Sequence, residues 1–549
     1  MEFTPPRENH TLSVSSSGGG LFGRPATRKS SGRFLFGLYF SSLHTSLPLH
    51  PRCNHVLVLA TPLNYGAFGL KRKQLLILLL LTFGALLIHG YHPWAEDSEL
   101  YLPGVEKTLH PELFPFNAQF FETHAGSTFF PNLIADWVRL SHLPLSVALF
   151  VLQVASIYLF LLACWQLISR CFPDATARWA GVALIAALLT LPVAGTALYI
   201  FDQYVNPRNL AAFGAIFAIV NTIDKKYIQA GLFLVFTAAV HPLMAVFAFS
   251  YCFLLFALAY REGGSAALAC LLPFGLSFDP PSAAYHQAAL THPFHYITRW
   301  SWYEWLGALA PLVILWWFSR VARSRHLPNL DRLCRALIIY ELIFLPPALV
   351  LSAVARFEAL ARLQPMRCLF LLYILMFLFI GGFLGEFFLR RRVGRWLALF
   401  IPLCAGVFIA QRALFPASRH IEWPGAAFTN PWEQAFVWAR EHTPTDAIFA
   451  LDPRYMHLPG EDEQGFRALA QRSRLADYGS DAGAVSMFPA MADEWHRQVQ
   501  AQTGWKDFQA QDFQRLRTEF GVTWVVLQLP GVPGLDCPYR NSTVLLCRL

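Results

Sequence analysis

Directly after the apolar run LLILLLLTFGALLIHG (residues 75–90), the chain reads GYHPWAEDSELYLPG and places Glu96, Asp97 and Glu99 where a membrane span would end. A carboxylate at such a boundary can take or orient a proton. It can equally be solvated, with Asp97 or Ser98 capping the helix that DSEL begins. Further along, YIFDQYVNPRN brings Asp202 and Arg208 into one short inter-span loop. There they can pair with each other, or Arg208 can grip a phosphate through two parallel N–H bonds. His241 stands beside Pro242 at a helix break. An ionisable residue at membrane depth is a candidate site group, although bonding to a backbone carbonyl is the commoner role for such a histidine. Arg367 opens a span on the side where topology does not demand positive charge, and is a second candidate phosphate ligand. His286, His292 and His295 could line the same opening or serve as interfacial polar contacts. Glu99 and Glu106 read as solvated or paired. In the tail, Asp452, Arg454, His457, Glu461 and Asp462 suit an acceptor contact or a folded polar surface equally well.

These residues need a membrane scaffold to hold them. Hydrophobic residues make up 55% of the chain and charged residues 14%, against roughly 25% charged in a soluble domain. With a mean hydropathy of +0.40, the composition is that of a polytopic membrane protein. Charge is unevenly placed. From Ala417 onward there are 12 Lys+Arg and 16 Asp+Glu, a net of −4, so the rest of the chain carries +12. That positive charge lies in loops beside spans. No basic face interleaved with aromatics supports nucleic-acid binding. Of the 10 cysteines, most sit in apolar segments as small hydrophobes, and no CxxC or Cys/His cluster has zinc spacing. Cys537 and Cys547, in the polar tail, could form a disulfide if that tail lies outside the cytoplasm. There is no GxSxG elbow, P-loop or HExxH.

A span needs about 20 residues. The clear candidates are 75–89, 143–167, 179–199, 305–321, 333–354, 366–388 and 395–411. Three more lie at 209–223 and across 227–260, which is too long for one span and reads as two helices turning at Pro242, whose ring removes a backbone donor. A weak eleventh covers 264–278. Basic residues at Lys71 to Lys73, Arg170, Arg178, Lys225, Lys226, Arg261, the SRVARSRHLPNLDRLCR loop and RRRVGR fall on alternate connections. By the positive-inside rule this puts the N-terminus in the cytoplasm and the tail outside. The expected fold is thus an α-helical polytopic membrane protein of about eleven spans (71–412), with a first outside loop at 90–142. An extracytoplasmic α/β domain follows at 413–549. In that loop Phe114, Phe116, Phe120, Phe121, Phe129 and Phe130 suit a helix pair lying in the interface. Residues 1–70, with SVSSSGGG and RPATRKSSGR, read as a disordered extension or as the product of a mis-assigned start.

In the tail, PWEQAFVWAREHTP predicts a helix that stops at a proline, DAIFALD, GVTWVVLQL and STVLLCRL predict strands, and FQAQDFQRLRTEF predicts an amphipathic helix.

This layout resembles the GT-C superfamily of polytopic membrane glycosyltransferases over roughly residues 74–549. The likeness rests on the long first outside loop opening with AEDSELY, on the many spans that follow, and on the outside α/β tail opening with AFVWAREHTPTDAIFALDP, similar to the tails of bacterial members. It implies transfer of a hexosyl or pentosyl group from a polyprenyl-phosphate donor to a lipid or glycan acceptor on the outer face of the cytoplasmic membrane. It assigns the base or hydroxyl-orienting role to an acid of the first outside loop, best matched by Asp97 and next by Glu96. Arg208, His241, Arg367 and Asp202 are then the donor-site candidates. The sequence departs from the family in lacking a tight acidic pair and a second acidic pair that could hold a metal, so no cofactor is expected. Two other classes compete. A lipid or glycan transporter or flippase would place acids and broken helices near the bilayer midplane. A non-catalytic scaffold would be indifferent to replacement of Asp97.

Overall fold

Hydropathy dictates most of the architecture. A computed structural model of the protein describes residues 71–260 and 282–549. The extension at 1–70 and the weak span at 264–278 lie outside the described residues. α1 (Arg72–His89) is followed by three short helices, α2 (Ser98–Leu109), α3 (Gln119–Gly126) and α4 (Phe130–Ser141), and by the long α5 (Leu145–Ser169). Then come α6 (Ala175–Ala187), a small hairpin of β1 (Pro192–Val193) and β2 (Leu198–Tyr199), and helices α7 (Pro207–Ile223), α8 (Tyr227–Val240) and α9 (Pro242–Tyr260). α10 (Ala283–Leu290), α11 (Trp302–Ser324), α12 (Pro328–Ala353), α13 (Cys368–Phe383) and α14 (Val393–Leu414) complete the helical part. Among the described residues, 7 helices are long and apolar enough to cross a membrane, with α6 and α8 as shorter apolar helices.

The break at His241 and Pro242 lies where the sequence places it, between α8 and α9. The segment 179–199 does not form one span. It ends as a helix at Ala187, and the chain turns back through β1 and β2. Pro192 has no N–H to continue a helix, and Gly195 takes a φ of +64° at the hairpin turn, a conformation that suits a residue without Cβ.

The tail is a mixed α/β unit. α15 (Pro431–His442) starts at Asn430, whose side chain accepts the Trp432 N–H at 2.9 Å, with Pro431 in the first turn. β3 (Ile448–Ala450), α16 (Phe466–Ala470), β4 (Ser473–Arg474), α17 (Ser480–Met487), α18 (Ala492–Ala501), α19 (Ala510–Phe520), β5 (Trp524–Gln528), β6 (Asp536–Arg540) and β7 (Val544–Arg548) follow. The sheet order is β4-β3-β5-β7-β6. β3 pairs in parallel with β4 and β5, and β7 runs antiparallel to both β5 and β6. The three expected strands are all present. β4 and β6 are additions that hydropathy did not mark, because one is two residues long and the other lies at the sheet edge with alternating burial. Cys537 and Cys547 are bonded across β6 and β7.

The aromatic residues of the first loop behave differently from the interfacial expectation. Phe114, Phe120, Phe121 and Phe130 are fully buried, and the first three share a core with Val485 and Trp495 of the tail. Each such burial stabilises by on the order of 1.5–3 kcal/mol. The loop and the tail therefore fold against each other. Only Phe129 of this group stays largely exposed.

Candidate functional site

Asp97 occupies the residue before α2, yet its side chain makes no capping bond. It turns instead to Arg208, whose Nη1 lies 3.0 Å from Asp97 Oδ2. Arg208 sits in the first turn of α7, behind Pro207 and the Asn206 cap. Its Nε and Nη2 donate to Asp202 Oδ2 at 3.2 and 3.1 Å. Asp202 is itself anchored: Asn206 Nδ2 donates to the same oxygen at 2.7 Å, its N–H donates to Asn209 Oδ1 at 3.0 Å, and its carbonyl accepts from Gln153 and Asn209. The predicted Asp202–Arg208 pair thus exists, and it aims the free edge of the guanidinium at Asp97.

That edge opens on a cavity of about 300 Å³. Asp97, Arg208, His241 and Arg367 all line it, although they come from four separate parts of the chain. Asp97 keeps 45% of its side chain exposed, while Arg208 keeps 6%. His241 ends α8, and its Nδ1 accepts the Met244 N–H at 3.4 Å, so a neutral ring carries its proton on Nε2. Arg367 closes a short turn after Gln364, a residue with φ +47°. Its Nε is buried without a partner, and among the described residues no hydrogen bond or ion pair engages its guanidinium. Asp202 stands behind Arg208 and does not reach the cavity wall.

Glu96 is not part of this wall. It has φ +52° and its Oε2 accepts the Tyr204 hydroxyl at 3.3 Å. Burial, followed by the charges of Glu463, Asp202 and Asp97, holds its carboxyl well above the ordinary value. Of the two candidates, Asp97 is the one that lines the cavity and pairs with Arg208.

The cavity also holds groups that the sequence marked only weakly. His292 and His295 line it, whereas His286 lies apart, 2.7 Å from Glu358. Tyr101 and His124 of the first loop join them. Burial pushes His124 and His292 down to about 4, so both rings are neutral near pH 7. The far wall is the end of α17, where Gly483, Ser486, Met487 and Phe488 belong to the tail. His124 meets Phe488 edge-on with ring centres 5.1 Å apart. Gly483 allows the approach of His292, whose Nε2 would lie 3.1 Å from an added Cβ. No local signal reveals this wall, because Ser486 to Phe488 are unremarkable until the fold brings them into the same cavity as Asp97.

Glu99 and Glu106 are not solvated; they are 0% and 1% exposed. Glu99 is bound by Arg474 and Glu106 by Gln471. Among the tail candidates, Glu461 and Asp462 are buried supports: Asp462 Oδ2 accepts the Ala417 and Ser418 N–H groups at 2.9 and 2.7 Å. Arg454 and His457 are exposed, and Asp452 accepts the Arg454 N–H. Among the described residues, no group of three or more His, Cys, Asp and Glu side chains is arranged to hold a metal ion.

A family described as a domain of unknown function (DUF6798) matches residues 430–501. No curated protein matches the chain. Among solved structures, the chain is similar to the apo oligosaccharyltransferase of Archaeoglobus fulgidus, with 12% identity, a TM-score of 0.44, and coverage of 83% of this chain and 70% of that one. It is similar also to the oligosaccharyltransferase AglB of the same organism in complex with an inhibitory peptide and a dolichol-phosphate. That match has 14% identity, a TM-score of 0.44, and coverage of 83% and 69%.

Proposed function

We propose that the protein is a membrane glycosyltransferase of the GT-C type that takes a sugar from a polyprenyl-phosphate donor in the cavity between Asp97, Arg208 and Arg367. The observation that carries this reading is Arg367. Arg367 is half-buried with its Nε fully enclosed and has no ion-pair partner among the described residues; such a guanidinium is costly, and one that shares a cavity with a second arginine suits an anion. A phosphate supplies two or more oxygens for the paired donors of Arg208 and Arg367. The lipid tail of such a ligand would stay in the bilayer beside the spans.

Within that reading, Arg208 and Arg367 stabilise the charge left on the departing phosphate. Asp97 orients or deprotonates the acceptor hydroxyl, and His241 Nε2 donates to a ligand oxygen. Asp202 positions Arg208. The acceptor is a lipid or glycan hydroxyl outside the cytoplasmic membrane, and the tail lies on that side.

The test is release of polyprenyl phosphate by the purified protein from a panel of polyprenyl-phosphate hexoses and pentoses. Asp97→Asn should lower release at least a hundredfold. Release that survives the substitution would remove Asp97 from the mechanism.

A transport reading has one observation of its own. Glu341 lies inside α12, is fully buried, and neither carboxyl oxygen finds a hydrogen-bond partner among the described residues. Pro346 and Pro347 lie inside the same helix, which runs on to Ala353. A buried acid within an apolar helix is what a transporter places at membrane depth. Substrate movement across liposomes that depends on Glu341, without sugar transfer, would favour it.

A further inference from the structure

Glu99 lies two residues after Asp97 but points the other way, into the tail. Its Oε1 accepts from Arg474 Nε at 2.8 Å, and its Oε2 accepts the Arg467 and Ala468 N–H groups at 2.7 and 3.3 Å. Gly465 makes that reach possible, since an added Cβ would stand 2.9 Å from Glu99 Oε2. Arg467 in turn grips Asp481 with both Nη atoms, at 2.8 and 3.1 Å. Arg474 donates to Asp481 Oδ2 at 3.0 Å and to Asp477 at 2.6 Å. All five residues are at most 2% exposed.

Asp481 lies in the first turn of α17, the helix whose far end carries Ser486, Met487 and the following Phe488 into the cavity. One end of the cluster is therefore two residues from Asp97, and the other is five to seven residues from the opposing wall. Buried ion clusters of this kind add little net stability compared with apolar packing. What they impose is geometry, since several charged bonds must be met at once.

We propose that the cluster of Glu99, Arg467, Arg474, Asp477 and Asp481 is a positioning device that sets the gap between Asp97 and the Ser486–Phe488 wall, and that this gap selects a sugar-bearing lipid phosphate over bare phosphate. The inference rests on the donor-site reading above and deepens it. Bare phosphate needs only Arg208 and Arg367. A sugar linked to that phosphate must also fit between the two walls.

The test uses the full-length protein in nanodiscs with two probes, inorganic phosphate and a short-chain polyprenyl-phosphate hexose. Binding constants are measured for wild type, Glu99→Asp, Asp481→Glu, Phe488→Ala and Arg367→Gln, alongside melting temperature. Glu99→Asp and Asp481→Glu keep every charge but shift one wall by a methylene. Each should weaken the hexose probe at least fivefold and leave inorganic phosphate within twofold of wild type. Phe488→Ala alters the wall without touching the cluster, and should reproduce the selective loss even if a cluster variant fails to fold. An unchanged ratio of the two affinities in Phe488→Ala, or an equal loss of both probes in the folded cluster variants, overturns the proposal. Failure of the donor-site reading looks different: wild type would bind neither probe, or Arg367→Gln would bind both as wild type does.

Discussion

Arg208 Nη1 lies 3.0 Å from Asp97 Oδ2, so the acid proposed to meet an acceptor already occupies the cation proposed to meet a phosphate. On the proposed reading, an incoming phosphate competes with Asp97 for that nitrogen. Asp97→Asn removes the competing charge with almost no change of volume. Binding of a non-reactive polyprenyl phosphate should hold or tighten, by up to roughly tenfold for one charge-assisted hydrogen bond, while sugar transfer collapses. Isothermal titration on the variant checks this; parallel loss of binding would mean that Asp97 helps hold the ligand.

Arg367 gives the opposite signature. Its guanidinium has no partner among the described residues, so Arg367→Gln removes a desolvated charge and no native ion pair. The melting temperature should stay level or rise, and lipid-phosphate affinity should fall at least tenfold. A fall in both would point to a structural anion already bound there.

Asp202 should behave as a support. It is 3% exposed and holds Arg208 through two bonds. Asp202→Asn leaves the guanidinium half-unpaired, a change that costs about 3–5 kcal/mol in buried pairs. Thermal denaturation should register that loss together with weaker phosphate binding. Stability equal to wild type would show that Asp97 alone can hold Arg208.

The tail also carries a pH dependence. Burial raises Glu422 and Glu433 well above the ordinary carboxylate value of 4.5, and the charge of Glu422 raises Glu433 further. The folded protein keeps protons there that the unfolded chain has released. The stability they contribute is therefore complete below about pH 4.5 and is lost as pH rises toward the folded values, the lower of which is about 8. Glu433→Gln abolishes one such group. Its melting temperature relative to wild type should climb between pH 5 and pH 8, by up to ~1.4 kcal/mol per pH unit in stability terms. A constant difference across that range would place the proton elsewhere.

The bond between Cys537 and Cys547 offers a test of sidedness. Mass tagging of thiols under denaturing conditions, with and without prior reduction, should differ by two tags at these positions in protein taken from intact cells. Equal tagging would place the tail in a reducing compartment.

Much of the scaffold was legible in the residues alone. Apolar run length locates the spans, because a bilayer accepts only segments that satisfy their own backbone. Pro242 locates the break between α8 and α9, since a missing donor acts at its own position. The Asp202–Arg208 pair was readable for the same local reason: the two are six residues apart around one helix start. The segment 179–199 misled because mean hydropathy is blind to a Pro192 and Gly195 turn inside an apolar run.

What only the tertiary structure decided is which groups meet. Glu99 and Arg474 are 375 residues apart in the chain and 2.8 Å apart in space. Burial of Glu99, isolation of Arg367 and closure of the cavity by Phe488 all depend on such long-range contacts. Sequence determines hydrophobicity, charge and backbone freedom at each residue, and these act over a few neighbours. The desolvation and pairing of a charge depend on everything packed around it, and that is known only once the first loop and the tail have closed on each other.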